Sequence, residues 1–180
     1  MKWMIASDIH GSAYYARQMI AAFERSGADR LLLLGDLLYH GPRNALPQEY
    51  DPPQVIPMLN VYAERICCVR GNCDSEVDQM VLHFPIMAEY AVLPFGNRLI
   101  YATHGHHPVP PLQPGDILLT GHTHVTAHEP RAHYIYWNPG SISIPKEDTP
   151  RGYMLLDGDR CSWHRLADDA MTYEVTADTL

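Results

Sequence analysis

Four absences bound this sequence of 180 residues. No apolar run reaches the roughly 20 residues a membrane-spanning helix needs. The opening MKWMIASDIHG is apolar for too few positions before Asp8 to form a secretory h-region, so a soluble, cytoplasmic protein without a membrane partner is expected. Cysteine is scarce: Cys67, Cys68, Cys73 and Cys161 form neither a CxxC pair nor a dense framework, which fits reduced thiols and argues against zinc held on sulfur. Positive charge is short as well, with 13 Lys and Arg against 21 Asp and Glu for a formal net charge of −8, so no surface for long nucleic acid is expected. Small anions stay within reach, because a bound metal reverses the local field. Internal repeats, low-complexity tracts and linkers are missing too, and with 46% hydrophobic residues the chain 1–180 reads as a single domain.

What the sequence does have is histidine, 11 in all, and a regular succession of elements. KWMIAS reads as a strand, and SAYYARQMIAAFERSG as a helix with Ser12 near its N-cap, Met19, Ala22 and Phe23 on one face, and Gly27 at its stop. DRLLLLGD is a second strand whose unbroken leucines predict burial on both faces. The stretch YHGPRNALPQEYDPP is a loop long enough to shape a pocket. PQVIPMLNVYAER reads as a helix despite Pro57, and ICCVRGN as a third strand. The second half is richer in strands: a hairpin turning at Phe95-Gly96-Asn97, then DILLTGHTH, then HYIYWNPGS, then a hairpin turning at Asp157-Gly158-Asp159. An α/β first half joined to such a second half predicts an α/β (α+β) protein, with two packed sheets and helices outside them.

Strand after strand ends in a side chain that can hold a metal: Asp8 and His10 in SDIHG, Asp36 in LGD, Asn72 in GNCD, His104 in THG, and His122 and His124 in GHTH. In extended chain, residues two apart share a face, so each of the pairs Asp8/His10 and His122/His124 is expected to project to one side. Plainer readings exist for each residue. Asp8 could be an N-cap, Asp36 and Asn72 could support glycine turns, and His104 could be a buried histidine bonded to backbone. The order DxH, GD, GN, H, GHxH within one chain is what argues for a metal site at the carboxyl ends of the strands.

That order resembles the calcineurin-like metallophosphoesterase superfamily, and the flanking stretches HGPRNALP, RGNCDSEVDQM and NPGSISIPK bring it nearest to bacterial phosphodiesterases of that family. The resemblance implies a four-layer sandwich of two mixed β-sheets flanked by helices. It implies two divalent ions, one among Asp8, His10, Asp36 and His124, the other among Asp36, Asn72, His104 and His122. Asp36 would be shared, holding the ions about 3.5–4 Å apart. Nitrogen and oxygen ligands without thiolate suit Mn²⁺, Fe²⁺, Zn²⁺ or Ni²⁺, and the family favours Mn²⁺. The activity implied is hydrolysis of a small phosphodiester by a water bridging the two ions. A phosphomonoesterase and a non-catalytic scaffold of the same fold are the alternatives.

One position departs from the pattern. Many relatives carry a histidine after the asparagine of GN, where it can protonate the leaving group, and this chain has Cys73. A thiol with a pKa near 8.5 is a poorer proton donor at neutral pH, so Cys73 is either a weak general acid or a wall of the pocket. Asp74 is expected to cap the helix beginning at SEVDQM. Arg43 and Arg70 are candidates for phosphate contact or for support of the metal ligands, His40 and His106 for lining the pocket, and His107 and His128 for the surface, while Gly140 and Ser141 are expected to shape a turn facing the metals, with Asn138 buttressing it. The substrate is left to loops such as 39–53 and 106–115. An exposed hairpin edge could support a homo-oligomer.

Overall fold

In the first half, helical and extended periodicities alternate. Strand β1 (Lys2–Ala6) leads through helix α1 (Ala13–Ser26), strand β2 (Arg30–Leu33), helix α2 (Pro52–Asn60) and strand β3 (Ile66–Cys68) to the short helix α3 (Glu76–Val81) in the computed structural model, which describes residues 1–180. Helix α1 starts where the Ser12 hydroxyl accepts from the Tyr15 N–H and stops at Gly27, whose φ of 65° is left-handed. Helix α2 starts from Asp51, whose carboxylate accepts from the Gln54 N–H, and carries Pro57 inside it at the cost of one intrahelical hydrogen bond. Helix α3 is capped by Ser75, which forms a reciprocal capping box with Asp78. The expectation that Asp74 caps this helix is therefore off by one residue, and Asp74 is free for another task.

The second half contributes β4 (Ala91–Phe95), β5 (Arg98–Ala102), β6 (Ile117–Leu119), β7 (Thr126–Pro130), β8 (Ile135–Pro139), β9 (Gly152–Asp157), β10 (Arg160–Arg165) and β11 (Met171–Thr176). Two mixed sheets result, one of six strands in the order β11-β10-β9-β1-β2-β3 and one of five in the order β4-β5-β6-β8-β7. Strands β1, β2 and β3 run parallel, as do β5, β6 and β8. The sequence reading did not identify β7 and β11. Both are edge strands: TAHEP lacks an apolar face, whereas in MTYEVT Met171, Tyr173 and Val175 alternate with polar residues and Val175 is buried between the sheets, a period-two signal that was overlooked.

Period-two alternation divides the core. Met4, Ala6, Leu31 and Leu33 face α1 and α2, where they meet Met19, Phe23, Val55 and Leu59. Ile5, Leu32 and Leu34 turn to the opposite face and pack with Phe95, Ile100, Leu119, Trp137 and Trp163 between the two sheets. The leucines of β2 are thus buried on both faces, as their continuous run predicts. Helices α1 and α2 cover one face of the six-stranded sheet, while the short α3 buries none of its residues. No helix is long and apolar enough to cross a membrane.

Candidate metal centre

All seven expected ligands lie just beyond the carboxyl ends of parallel strands: Asp8 and His10 after β1, Asp36 after β2, Asn72 after β3, His104 after β5, and His122 and His124 after β6. Main-chain hydrogen bonds continue the pairing past the strands. The N–H groups of Asp8, His10 and Gly11 donate to the carbonyls of Gly35, Asp36 and Leu37 at 3.1, 2.9 and 2.9 Å. On the other sheet the Gly121 N–H donates to the His104 carbonyl at 3.0 Å. The two sheets are stitched together where the His122 N–H donates to Asp8 Oδ2, also at 3.0 Å.

The local backbone is not the extended chain that the two-residue spacing suggested. Asp8, His10, Asp36, His122 and His124 have φ of 58°, 49°, 56°, 63° and 63°, all left-handed. Such a conformation costs of order 1–3 kcal/mol per non-glycine residue and persists where the surroundings over-determine it. Between Asp8 and His10, Ile9 is fully buried in the helix-side core, so the turn sends its apolar residue into that core and its two polar residues, also buried, toward the metal centre. The Ser141 and Ser143 hydroxyls both donate to the Asp8 carbonyl, at 2.8 and 2.9 Å. Ser141 was anticipated at this turn and Ser143 was not. Asn138 accepts from the Gly140 N–H at 2.8 Å, buttressing its own turn as expected, and also donates its side-chain amide to the Gly121 carbonyl at 2.8 Å and to Thr123 Oγ1 at 3.0 Å, bracing the histidine turn, which was not anticipated.

Close approach also requires glycine at two positions. A Cβ at Gly71 would overlap the Asp36 carboxylate, and one at Gly121 would overlap the Ser7 hydroxyl.

The side chains then converge. His10 Nε2 lies 3.2 Å from His124 Nε2 and 3.6 Å from both Asp8 Oδ1 and Asp36 Oδ2, with His124 Nε2 3.3 Å from Asp8 Oδ1. Beside this cluster, His104 Nε2 lies 3.4 Å from Asp36 Oδ2, 3.1 Å from Asn72 Oδ1 and 3.2 Å from His122 Nδ1. Asp36 belongs to both groups. Three of the rings are oriented by carbonyls: His10 Nδ1 to Tyr39 at 2.8 Å, His124 Nδ1 to Ile144 at 2.6 Å and His104 Nδ1 to Leu34 at 2.6 Å. A carbonyl only accepts, so each Nδ1 carries the hydrogen and each neutral ring aims an Nε2 lone pair at an acceptor. Asp8 Oδ1 is buried and has no hydrogen-bond donor at all. Lone pairs facing lone pairs in a buried site call for a proton or a cation between them, and the donor set fits a divalent metal.

Titration directions express the same conflict. Burial alone would push the Asp8 carboxyl up, yet His10 and His124 hold it well below the usual carboxylate range. Burial likewise opposes the shift at Asp36, which is held low by His104. For His104, burial is outweighed by the Asp36 hydrogen bond and the Asp8 charge, which lift it to about 9. His10 is raised against burial by Asp8. His122 moves down through burial and the neighbouring His104.

Asp74 has the task that helix capping left open. Its buried carboxylate accepts from the N–H groups of Asp36, Leu37 and Gly71 at 2.9, 2.9 and 2.7 Å, fixing the loops after β2 and β3 against each other. Cys73 lies in the cleft, its N–H donating to Asp36 Oδ1 at 2.8 Å. Burial, reinforced by Asp36, pushes its thiol up to about 12, well above the value expected of a free cysteine. The cleft has a volume of about 470 Å³ and is lined by Asp36, Asn72, Cys73, His122, His124, Arg43 and Lys146, among others. Arg43 is where sequence reasoning placed it. Lys146 was missed because nothing around it in NPGSISIPK marks it out.

Arg70 turns away, its Nε donating to the Asp74 carbonyl at 3.3 Å and its guanidinium lying 3.7 Å from Glu76. His40 packs against Tyr39 and Tyr50 instead of lining the cleft. His106 stands behind His104, ring centroids 5.3 Å apart, and burial together with the charges of His104 and His107 brings it down to about 4. His107 and His128 are exposed, as expected. A larger depression of about 620 Å³, lined by Tyr14, Arg25, Arg151 and Arg165 among others, contains none of the expected ligands.

Comparison with known proteins identifies the family. Residues 1–160 match the model of the calcineurin-like phosphoesterase superfamily domain. The chain is 46% identical to the phosphodiesterase YfcE of Escherichia coli K12 over 179 residues, 97% of each chain. It is 27% identical to a probable metallophosphoesterase of Bacillus subtilis, YsnB, over 87% of this chain and 83% of that one. The solved structure of E. coli YfcE superposes with a TM-score of 0.91, covering 98% of this chain and 99% of that one. Vps29 of Entamoeba histolytica, 23% identical with a TM-score of 0.63 over 98% and 99% of the two chains, shares the fold. The chain therefore belongs to the calcineurin-like phosphoesterase superfamily.

Proposed function

We propose that this chain is a metal-dependent phosphodiesterase acting on a small phosphoester, with two divalent cations held by its own residues. Asp8, His10, Asp36 and His124 hold one cation and Asp36, Asn72, His104 and His122 the other, with Mn²⁺ the expected ion. What supports the reading is the set of buried lone pairs without hydrogens: Asp8 Oδ1 and three Nε2 atoms whose rings are oriented by carbonyls. The 46% identity to a named phosphodiesterase supports the reaction class. When bound, such cations acidify water and neutralise charge developing on a phosphoryl oxygen.

The chain's residues do the rest. Asp36 ties the two groups together, and its carboxylate is steadied by the Cys73 N–H. The neutral Asn72 leaves its side of the centre more positive than a second carboxylate would. The Tyr39, Leu34 and Ile144 carbonyls keep the rings in the tautomer that presents Nε2. Cys73, with its thiol pushed up to about 12, lends little acid assistance to a departing alkoxide.

Hydrolysis of bis(4-nitrophenyl) phosphate before and after chelation, with Mn²⁺ added back, tests the proposal alongside metal analysis of the purified protein. Two metal ions per chain and restoration of activity by Mn²⁺ are expected. Asp36→Asn should lower kcat at least about 10²-fold, while His107→Ala leaves it within about twofold. Turnover that persists through chelation, or equal effects of the two substitutions, would overturn the assignment.

A further inference from the structure

The chain has 13 cationic side chains, and 11 of them are engaged elsewhere in the fold. Arg17, Arg25, Arg70, Arg131, Arg160 and Arg165 pair with carboxylates. Lys2, Arg30, Arg65 and Arg98 donate to main-chain carbonyls. Arg151 donates to the Ser143 carbonyl and lies over the Tyr15 ring. The two that remain, Arg43 and Lys146, make no side-chain hydrogen bond, ion pair or ring contact, and both line the metal cleft. In a chain with 21 carboxylates this is a selective omission. Lys146 stays unpaired although Glu147 and Asp148 follow it directly.

Both are delivered to the cleft by tethered backbone. The Lys146 N–H donates to the carbonyl of His124, one of the expected ligands, at 3.1 Å, and the Thr149 hydroxyl closes the same turn on the Lys146 carbonyl at 2.8 Å. Arg43 sits in a turn in which the Asn44 side chain donates to the His40 carbonyl at 2.8 Å. That turn is pressed against the cleft, since a Cβ at Gly41 would lie 3.3 Å from Cys73 Sγ.

The charge balance says what they are for. On the reading proposed above, two divalent cations less two carboxylates and a hydroxide nucleophile leave a single positive charge, which the single negative charge of a diester already balances. Arg43 and Lys146 are surplus to the scissile group. We infer that they form a second anion subsite and that the preferred substrate is a phosphodiester whose retained arm bears a further phosphate or carboxylate group. This inference rests on the two-metal reading for its substrate and on the unpaired cations for its site.

Two esters with the same leaving group test it: ethyl 4-nitrophenyl phosphate and 2-(phosphonooxy)ethyl 4-nitrophenyl phosphate, assayed with Mn²⁺. Wild type should favour the second in kcat/KM by about tenfold or more, and Arg43→Ala together with Lys146→Ala should erase that preference. An equilibrium readout runs beside it: 2-hydroxyethyl phosphate, titrated calorimetrically into the protein as purified, should bind the double variant at least about tenfold more weakly than wild type. Equal turnover of the two esters by wild type would overturn the inference, as would variants that slow both esters alike, since the cations would then serve the reacting phosphoryl group. Failure to hydrolyse either ester with any divalent ion would sink the two-metal reading alone, and the binding comparison would still decide whether the anion subsite exists.

Discussion

On the reading proposed above Cys73 would occupy the place of a proton donor, yet its thiol is a poor acid, and the reason is local. It is half-buried beside Asp36, so forming a thiolate there means adding negative charge next to a carboxylate in a partly desolvated cleft. The enzyme should therefore depend steeply on how well the leaving group departs unaided. Cys73→His should raise kcat for an alkyl ester by roughly tenfold while changing an activated aryl ester much less, because general acid help is worth most to poor leaving groups. A comparison of ethyl and 4-nitrophenyl leaving groups in both proteins checks this, and equal gains would assign the cysteine a purely spatial role. The sequence disclosed the substitution at GNCD but not its strength, since the shift to about 12 comes first from burial in the cleft and then from Asp36, 37 positions away, both of which only the fold creates.

At the scale of elements, what the sequence disclosed was the spacing, and what it concealed was the backbone. DxH and GHTH do aim pairs of side chains at one site, but through left-handed turns, not through strand alternation. Aspartate, asparagine and histidine tolerate positive φ better than most residues, a hint present in the residue types but too weak to read without coordinates. The role of Asp74 was equally hidden, because three N–H donors from two loops meet its carboxylate only after β2 and β3 have paired. Asp74→Ala leaves those buried donors without an acceptor. A loss of about 2–4 kcal/mol is expected, which for a chain of this length is a fall in Tm of very roughly 5–15 °C. Calorimetry of the metal-free protein measures it, and a fall of less than 2 °C would show that water replaces the carboxylate. The edge strand β7 went unread because TAHEP is mostly exposed and carries no apolar alternation, whereas β11 offered one in Met171, Tyr173 and Val175 that was legible and was passed over.

Over the whole molecule, the centre makes stability depend on pH and on metal together. Without metal, His104 has a folded pKa of about 9 against an unfolded value near 6.5, so the proton it shares with Asp36 stabilises the fold fully below 6.5. That contribution is lost as pH rises through about 9, and His10 shifts in the same direction. Asp8 and Asp36, held low, contribute above the usual carboxylate range and lose their contribution in acid. Chelator-treated protein should therefore melt several degrees lower at pH 9 than at pH 6.5. Divalent metal replaces the missing protons, and at a hundredfold excess over its Kd adds about 2.7 kcal/mol, or roughly 5–10 °C in Tm. Thermal scans at the two pH values with and without Mn²⁺ check both statements. An identical Tm at pH 6.5 and 9 in chelator would mean that the imidazoles carry no shared proton.

Three of the five ligand-bearing segments leave one sheet and two leave the other. The thickness of the layer between the sheets thereby becomes a dimension of the chemistry. Phe95, Trp137 and Trp163, stacked edge to face within that layer, act as a spacer that sets the jaws of a vice. Thin the spacer by trimming one of those rings, and the jaws shift relative to each other although nothing near the cleft has been touched.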